Sequence, residues 1–442
     1  MTATPSTKRG HGRGWLLGLC LGVALCPLAP QVSRAQAADP DSLGYGNTPE
    51  ALRPFARFAE PYKQFFVDSL IYTGPGRDKP EPDVATVRIG VLAPLEGSND
   101  AYIGQPMLKA IELAVDEANA EGGYRGKPFE LMVHNDTGLW GASANEIVKL
   151  SYEDSVWAVL GTVDGANTHI AIRVALKTEL PIVNVADTDP TLVETKIPWV
   201  FRTIADDRQM AYVLAWHIYQ ESGFERVAIV RADNRYGRFG VSEFRSASTR
   251  LRRPAPIEVN YEIAWRNVNP EFTVQLQRLQ RVQPDAIILW ADAHAAAALL
   301  RAIRGAGIEA PIFACDRLLE PGFLEEAGAA AEGVVIASPW NPTADNPRYA
   351  VFREAYRARH GEDPDTYASH AYDGARMLVD AIRQAGLNRY RIRDALAAVH
   401  RYEGVTGTIV MDKVHSDRGA VSLATVRSGA FVFGEPTLRA RF

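Results

Sequence analysis

The sequence predicts an α/β protein with two doubly wound parallel-sheet lobes joined by a three-crossing hinge. From Val84 onward, apolar runs of strand length alternate with longer segments of helical period, a pattern typical of βα units in a parallel sheet. About nine strands would make one unusually large sheet, whereas two sheets of four or five strands have ordinary sizes. No polar linker separates the halves. We therefore expect several short crossings between rigid lobes, which is the anatomy of a hinge.

The strands are predicted from short apolar runs and the helices from longer amphipathic segments. The predicted strands are 86–92, 129–133, 157–160, 181–185, 226–230, 257–263, 285–290, 312–314 and 333–336. The predicted helices include 105–120, which Gly122-Gly123 should end, then 142–152, 167–178, 208–221, 293–306, 348–360, 366–385 and 392–399. Short strands at 408–411, 422–427 and 430–433 follow.

The expected crossings divide the chain into segments. We place them near 201–204, 336–339 and 404–407. The resulting organisation is a signal peptide at 1–37, a proline- and aromatic-rich extension at 38–83, lobe 1 at 84–203 and 338–405, and lobe 2 at 204–337 and 406–442. Because the extension carries seven aromatic residues, it is too apolar for a solvated linker. We expect it to pack along the main body.

The N-terminal segment is typical of an export signal. A basic stretch ends at Arg13, an apolar run of 14 residues follows at 15–28, and Ala35-Gln36-Ala37 is a small-x-small cleavage site. A membrane span needs about 20 apolar residues, so this run is too short for one. The segment predicts export with cleavage after Ala37.

The cysteines leave one alternative for this segment. Cys20 and Cys26 lie inside it, as in a lipoprotein signal, but both follow Leu where lipidation needs a small residue. Cleavage after Ala37 removes both and leaves Cys315 alone. One cysteine cannot form an intramolecular disulfide, so the core must supply the stability.

The charge balance argues against nucleic acid as a partner. Lys and Arg number 48 against 53 Asp and Glu, a net charge of -5. The first 37 residues hold four of the basic side chains and no acid, so the rest has 44 against 53, or -9. A net-acidic body without a long Lys/Arg run repels phosphate backbones.

Common catalytic signatures are missing from the sequence. It contains no G-x-x-x-x-G-K-[ST], no complete G-x-G-x-x-G after a strand, no G-x-S-x-G and no H-E-x-x-H. The histidines show no i,i+4 or H-x-H pair of the kind that binds zinc. We therefore expect no catalytic residues, no metal and no cofactor.

Two polar loops follow predicted strands and open helices. They are Gly161-Thr162-Val163-Asp164-Gly165-Ala166-Asn167-Thr168 and Ala186-Asp187-Thr188-Asp189-Pro190. In open α/β sheets, ligands bind outside the carboxyl ends of the strands, where helix N-termini offer free N–H groups to an anion. Both loops therefore suit a carboxylate. The alternative is that Asp187, Thr188 and Asp189 only cap the next helix.

Four stretches resemble the signature segments of the Leu/Ile/Val-binding protein family. They are Val87-Arg88-Ile89-Gly90-Val91, Asp116-Glu117-Ala118-Asn119-Ala120-Glu121-Gly122-Gly123, Asn234-Arg235-Tyr236-Gly237 and Ala371-Tyr372-Asp373. The resemblance runs from about Val84 to near the C-terminus. It implies the type I periplasmic binding protein fold, in exported receptors that deliver ligands to ABC importers.

The resemblance also implies a ligand site between the lobes. An amino-acid carboxylate would meet the first loop and Thr188, its ammonium would meet Asp316, and Tyr236 would close over it from lobe 2. Tyr102 matches an aromatic residue at the cleft mouth. Trp290 and Asp292 lie at the end of a strand that faces the cleft, and Tyr367 lies near another wall of it. The implied ligand-binding residues are Tyr102, Val163, Asp164, Gly165, Asn167, Thr168, Asp187, Thr188, Tyr236, Trp290, Asp292, Asp316 and Tyr367.

Two of these positions depart from the family pattern. Gly165 stands where the family often has a serine, which leaves only backbone N–H groups there. Asp316 stands where the family has the longer Glu, so ligand position or identity can differ. The other interpretation of Asp316 is that it pairs with Arg317 or caps the helix after Pro321.

The combined interpretation is a monomeric, non-enzymatic periplasmic receptor. It would capture a small polar ligand, an amino acid or related carboxylate, by closing two lobes, and would deliver it to the membrane permease of an ABC importer. One alternative is a sensor subunit that reports ligand without transport. The other is an exported enzyme that uses the same cleft, which would need a nucleophile–base pair or cofactor loop that the sequence lacks.

Overall fold

Parallel β-sheets and flanking helices make up the computed structural model, which describes residues 70–261 and 271–434. In chain order the strands are β1 (Val87–Ala93), β2 (Phe129–Asn135), β3 (Val159–Gly161), β4 (Ile182–Asn184), β5 (Val200–Arg202), β6 (Val227–Ala232), β7 (Ile257–Tyr261), β8 (Ala286–Trp290), β9 (Ile312–Ala314), β10 (Val335–Ser338), β11 (Arg401–Gly404), β12 (Gly407–Val410), β13 (Ser422–Arg427) and β14 (Ala430–Phe433).

The α-helices lie between these strands. They are α1 (Ala101–Ala120), α2 (Trp140–Tyr152), α3 (Gly165–Thr178), α4 (Asp207–Trp216), α5 (Arg235–Arg250), α6 (Thr273–Val282), α7 (Ala293–Gly305), α8 (Pro321–Ala327), α9 (Pro347–His360), α10 (Thr366–Ala385) and α11 (Arg389–Ala397). A π-helical turn, His217–Glu221, extends α4, and a 3-10 turn, Asp316–Leu318, follows β9.

Two sheets define the two lobes. The first is parallel, with the order β2-β1-β3-β4-β5. The second has the order β14-β13-β10-β9-β8-β6-β7 and is parallel except that β13 pairs antiparallel with both β10 and β14. Apolar clusters lie on both faces of each sheet: α1 and α10 cover one face of the first and α2 and α3 the other, while α4 and α5 lie opposite α7 and α8 on the second. The expected doubly wound, two-lobe α/β fold is confirmed.

The chain passes between the sheets after β5, after β10 and after β12. The first two passages lie near the expected positions. The third lies later than 404–407, because β11 and β12 form an antiparallel hairpin whose Val405 and Ile409 pack in the lobe 1 core. Gly407, with φ +107, allows the tight turn between them. The short strands β5 and β11 and the helices α5 and α6 were not among the predicted elements.

A buried ion cluster joins the first and third passages. The carboxylate of Asp206 lies 2.7 Å from Nη2 of Arg202 and 3.2 Å from Nη1 of Arg418. All three side chains are at most 1% exposed. Asp206 also begins α4, because it accepts the backbone N–H of Gln209 at 3.0 Å. The carboxylate of Asp206 therefore links the first and third of the three passages between the lobes.

The described part of the extension packs on lobe 1, as expected. The Tyr72 ring lies 4.9 Å from that of Trp199 and 6.0 Å from that of Tyr390, measured between centroids. Arg77 forms an ion pair with Asp394 at 2.5 Å. Residues 38–69 of the extension and the signal segment at 1–37 lie outside the described residues. Within the described ranges, no helix combines the length and apolarity of a membrane span.

Cys315 provides a test of the cleavage prediction. It is fully buried, and burial raises the pKa of its thiol well above the ordinary value, so it should react slowly in the folded protein. Thiol titration of the mature protein in denaturant should find one thiol per chain, and a reducing agent should leave the melting temperature unchanged. Two or more thiols would contradict cleavage after Ala37.

Candidate functional site

The candidate site lies between the lobes, where the loops after β3 and β4 meet the segments after β6, β8 and β9. Three groups of contacts cross from one lobe to the other. They centre on Asp316, Arg317 and Arg235 in lobe 2. Because the carboxyl ends of parallel strands form the ligand edge of an open sheet, the site stands where this fold class binds small molecules.

Asp316 follows β9 and is held by one tyrosine from each lobe. Its Oδ1 accepts the hydroxyl of Tyr236, at the start of α5, at 3.0 Å, and its Oδ2 accepts the hydroxyl of Tyr367, at the start of α10, at 2.9 Å. The residue is 1% exposed. Burial raises the pKa of Asp316, while Arg317 and the two hydroxyls act in the opposite direction. A carboxylate enclosed by both lobes suits a cationic group of a ligand.

The alternative roles of Asp316 are not observed. Glu320, not Asp316, caps α8 by accepting the backbone N–H of Phe323 at 2.9 Å. The guanidinium of Arg317 pairs with the carboxylate of Asp292 and lies 4.0 Å over the ring centroid of Tyr236. The capping and pairing interpretations are therefore wrong.

Arg317 also reaches lobe 1. Its guanidinium nitrogens lie 3.9 Å from carboxylate oxygens of Asp100 and of Asp164. Asp164 caps α3 at the same time, because it accepts the backbone N–H of Ala166 at 2.8 Å. Burial raises the pKa of Asp100 to about 7, and the positive charge of Arg317 opposes that rise. This arginine is thus surrounded by carboxylates from both lobes.

A second ion pair crosses the cleft over Gly165. Nε of Arg235 lies 2.5 Å from Oδ2 of Asp189, and its Nη2 donates to the hydroxyl of Thr191 at 2.8 Å. A Cβ on Gly165 would lie 2.3 Å from the Asp189 oxygen and 2.9 Å from the Arg235 nitrogen. The missing side chain at Gly165 therefore makes room for an ion pair between the lobes.

The two predicted polar loops bond to each other. The hydroxyl of Thr168 donates to the carboxylate of Asp187, whose Oδ1 accepts the backbone N–H of Asp189 at 3.0 Å. Burial raises the pKa of Asp187 well above its usual value, and the negative charge of Asp189 adds to that rise. Asp189 accepts the N–H of Thr191 at 2.8 Å, so these acids shape their own loop. They do not cap the next helix, because the 3-10 turn Val193–Thr195 has no side-chain cap and α4 is capped by Asp206.

The comparisons with known proteins agree with this architecture. A sequence profile described as "Periplasmic binding protein" matches residues 86–430. The chain belongs to this family. The Leu/Ile/Val-binding protein homolog 2 of Brucella abortus is similar, with 26% identity over 331 residues, 74% of this chain and 86% of the relative. The resemblance to Leu/Ile/Val-binding proteins is confirmed.

Two solved structures share the fold. An ABC transporter substrate-binding protein from Desulfitobacterium hafniense, in complex with Leu, has a TM-score of 0.66 and 25% identity, covering 79% of this chain and 99% of that one. A solute-binding protein of an ABC transporter from R. palustris, in complex with benzoate, has a TM-score of 0.71 and 19% identity, covering 79% and 95%. The second likeness concerns the fold alone.

Several implied ligand residues of this periplasmic binding protein do not face the cleft centre. Val163 packs in the lobe 1 core, and the Nδ2 group of Asn167 donates to Asp136 at 3.3 Å. Trp290 is fully buried behind Tyr236, with its ring against Gly240. Apolar side chains, and amides that find a hydrogen-bond partner, can be buried in the packed interior even next to a cleft.

The remaining implied residues lie at the cleft. Tyr102 packs against the apolar cores of both lobes, and its buried hydroxyl has no hydrogen-bond partner among the described residues. Asp292 follows β8 and pairs with Arg317. Thr188 is buried, and its carbonyl accepts the backbone N–H of Asp207 at 2.9 Å.

Five charged residues of the site were not among the implied ligand residues: Asp100, Asp189, Asp207, Arg235 and Arg317. Each lies within two residues of an implied ligand residue or follows an expected crossing. Proximity along the chain could therefore have identified them. Residues 70–261 and 271–434 contain no cluster of His, Cys, Asp and Glu suited to a metal ion.

Proposed function

We propose that this periplasmic binding protein is the exported receptor of an ABC importer and captures an amino acid or related small carboxylate between its lobes. The observation that carries the proposal is the enclosure of Asp316 by hydroxyls from opposite lobes. An ammonium at this carboxylate would be contacted by both lobes at once. Ligand binding and lobe closure would then be one event.

The relatives support the same class of ligand. The Brucella abortus relative is named for Leu, Ile and Val, and the Desulfitobacterium hafniense structure contains Leu. The family consists of binding proteins, and the proposal extends that role to delivery of an intact ligand to a membrane permease. Recovery of unaltered ligand after prolonged incubation would support it, whereas chemical conversion would favour the enzyme alternative.

Lobe closure gives a direct structural test. An amino acid that binds in calorimetric titration should reduce the radius of gyration in small-angle X-ray scattering, because the lobes close around it as rigid bodies. The same ligand at about 100 times its dissociation constant should stabilise the folded state by about 2.7 kcal/mol. An unchanged scattering profile at saturation would contradict closure.

A further inference from the structure

Asp207, the first residue of α4, carries a buried carboxylate where the chain enters lobe 2. The residue is 1% exposed, and its backbone N–H is fixed to the carbonyl of Thr188 at 2.9 Å. Both carboxylate oxygens are buried without a hydrogen bond of normal geometry from the described residues, and the Thr188 hydroxyl is close enough to lower the pKa of the group. A buried carboxylate without a partner is costly. To be ionised, it needs a cation or a further donor beside it.

The surroundings of Asp207 belong to the cleft. The negative charges of Asp316 and Asp189 repel it, and the positive charge of Arg317 attracts it. Burial raises the pKa of Asp207 well above its usual value, and the negative charge of Asp316 is the next largest cause of that rise. Arg317 already pairs with Asp292, as Arg235 does with Asp189. These two arginines therefore already form ion pairs with carboxylates other than that of Asp207.

The two central carboxylates differ in their bonding. Asp316 accepts a tyrosine hydroxyl at each oxygen, and these bonds favour the charged form that a ligand ammonium would meet. Asp207 has no such tyrosine contacts, and a cation placed beside it would favour its charged form, which would add a second negative charge. A ligand with one amine would compensate only one of them. Two cationic nitrogens would compensate both.

We propose that Asp207 receives a second cationic nitrogen, so that this cleft selects small ligands that carry two amines. The inference rests on the proposed function and names its substrate class. A basic amino acid and a simple diamine both carry two amines. Only the basic amino acid also has a carboxylate, which the polar loops would contact.

Three matched probes separate these possibilities in calorimetric titration. L-Norleucine is L-lysine without the side-chain amine, and cadaverine is L-lysine without the carboxylate. We expect L-lysine to bind at least about 30-fold more tightly than L-norleucine, because leaving one buried charge unpaired has an effect of that size. Comparable binding of cadaverine would identify the diamine as the recognised unit, and weak binding would identify the basic amino acid.

The variant Asp207→Asn connects the preference to this residue. It should remove most of the advantage of L-lysine, leave L-norleucine within a few-fold of its wild-type affinity, and raise the melting temperature of the unliganded protein. A merely structural role would instead weaken both ligands equally and lower the melting temperature. Asp207→Ser provides a second variant should the first not fold.

The outcomes separate this inference from the proposed function. L-Norleucine binding as tightly as L-lysine to the wild type would overturn the inference and leave an amino-acid receptor. Equal weakening of both ligands by Asp207→Asn would also overturn it. Binding of cadaverine alone would support the inference and contradict the amino-acid ligand. Failure of all three probes would overturn the inference, and binding of a different amino acid would then leave the proposed function standing.

Discussion

Replacing Asp316 by Asn is expected to weaken amino-acid binding by about 30-fold to several thousand-fold, which corresponds to the about 2–5 kcal/mol lost when one partner of a buried charge pair is truncated. Asn nearly preserves the shape and can still accept a tyrosine hydroxyl. It removes the charge that would face the ligand ammonium. Calorimetric titration measures the change directly.

A matched variant controls for the loss of charge itself. Asp285→Asn makes the same change at a lobe 2 carboxylate that precedes β8, at the sheet edge opposite the cleft, and pairs with Arg226 at 3.0 Å. It should leave affinity unaltered. Wild-type affinity in Asp316→Asn would contradict the amino-acid proposal and indicate a ligand without an amine. A lost melting transition with intact binding would assign Asp316 to the fold instead.

Replacing Asp206 by Ala should lower the free energy of unfolding by about 3–5 kcal/mol, because it leaves two buried guanidinium groups without their shared carboxylate. Burial raises the pKa of Asp206, but the charges of Arg202 and Arg418 outweigh burial and hold the pKa below its usual value of 3.8. The stabilisation is therefore present above that value and is lost as the pH falls below it. The substitution also removes the cap of α4.

Urea denaturation followed by circular dichroism tests this prediction. The control is Asp363→Ala, which removes a half-exposed carboxylate that also pairs with two arginines, Arg353 at 2.7 Å and Arg357 at 2.5 Å. Exposed ion pairs contribute about 0–1 kcal/mol, so the control should change stability little. An equal loss of unfolding free energy in the two variants would show that burial of the Asp206 cluster does not add to stability.

Asp316 illustrates what could be predicted about the site. The apolar run 312–314 predicts a buried strand, and the family resemblance places a ligand-binding acid just after it. Its hydroxyl partners lie 80 and 51 residues away in sequence, and Tyr367 belongs to the opposite lobe. Arg317, its immediate neighbour, pairs with Asp292 instead. Sequence adjacency does not determine which charges meet.

The sequence by itself determined the alternation of strands and helices, the two-lobe fold, the family and most of the loops that reach the cleft. These follow from apolar periodicity and local motifs, which are short-range properties of the chain. Only the tertiary structure decided the place of the third crossing, the ion pair over Gly165 and the unpartnered carboxylate of Asp207. These depend on contacts between distant segments, where burial and Coulomb energy select partners that no local pattern encodes.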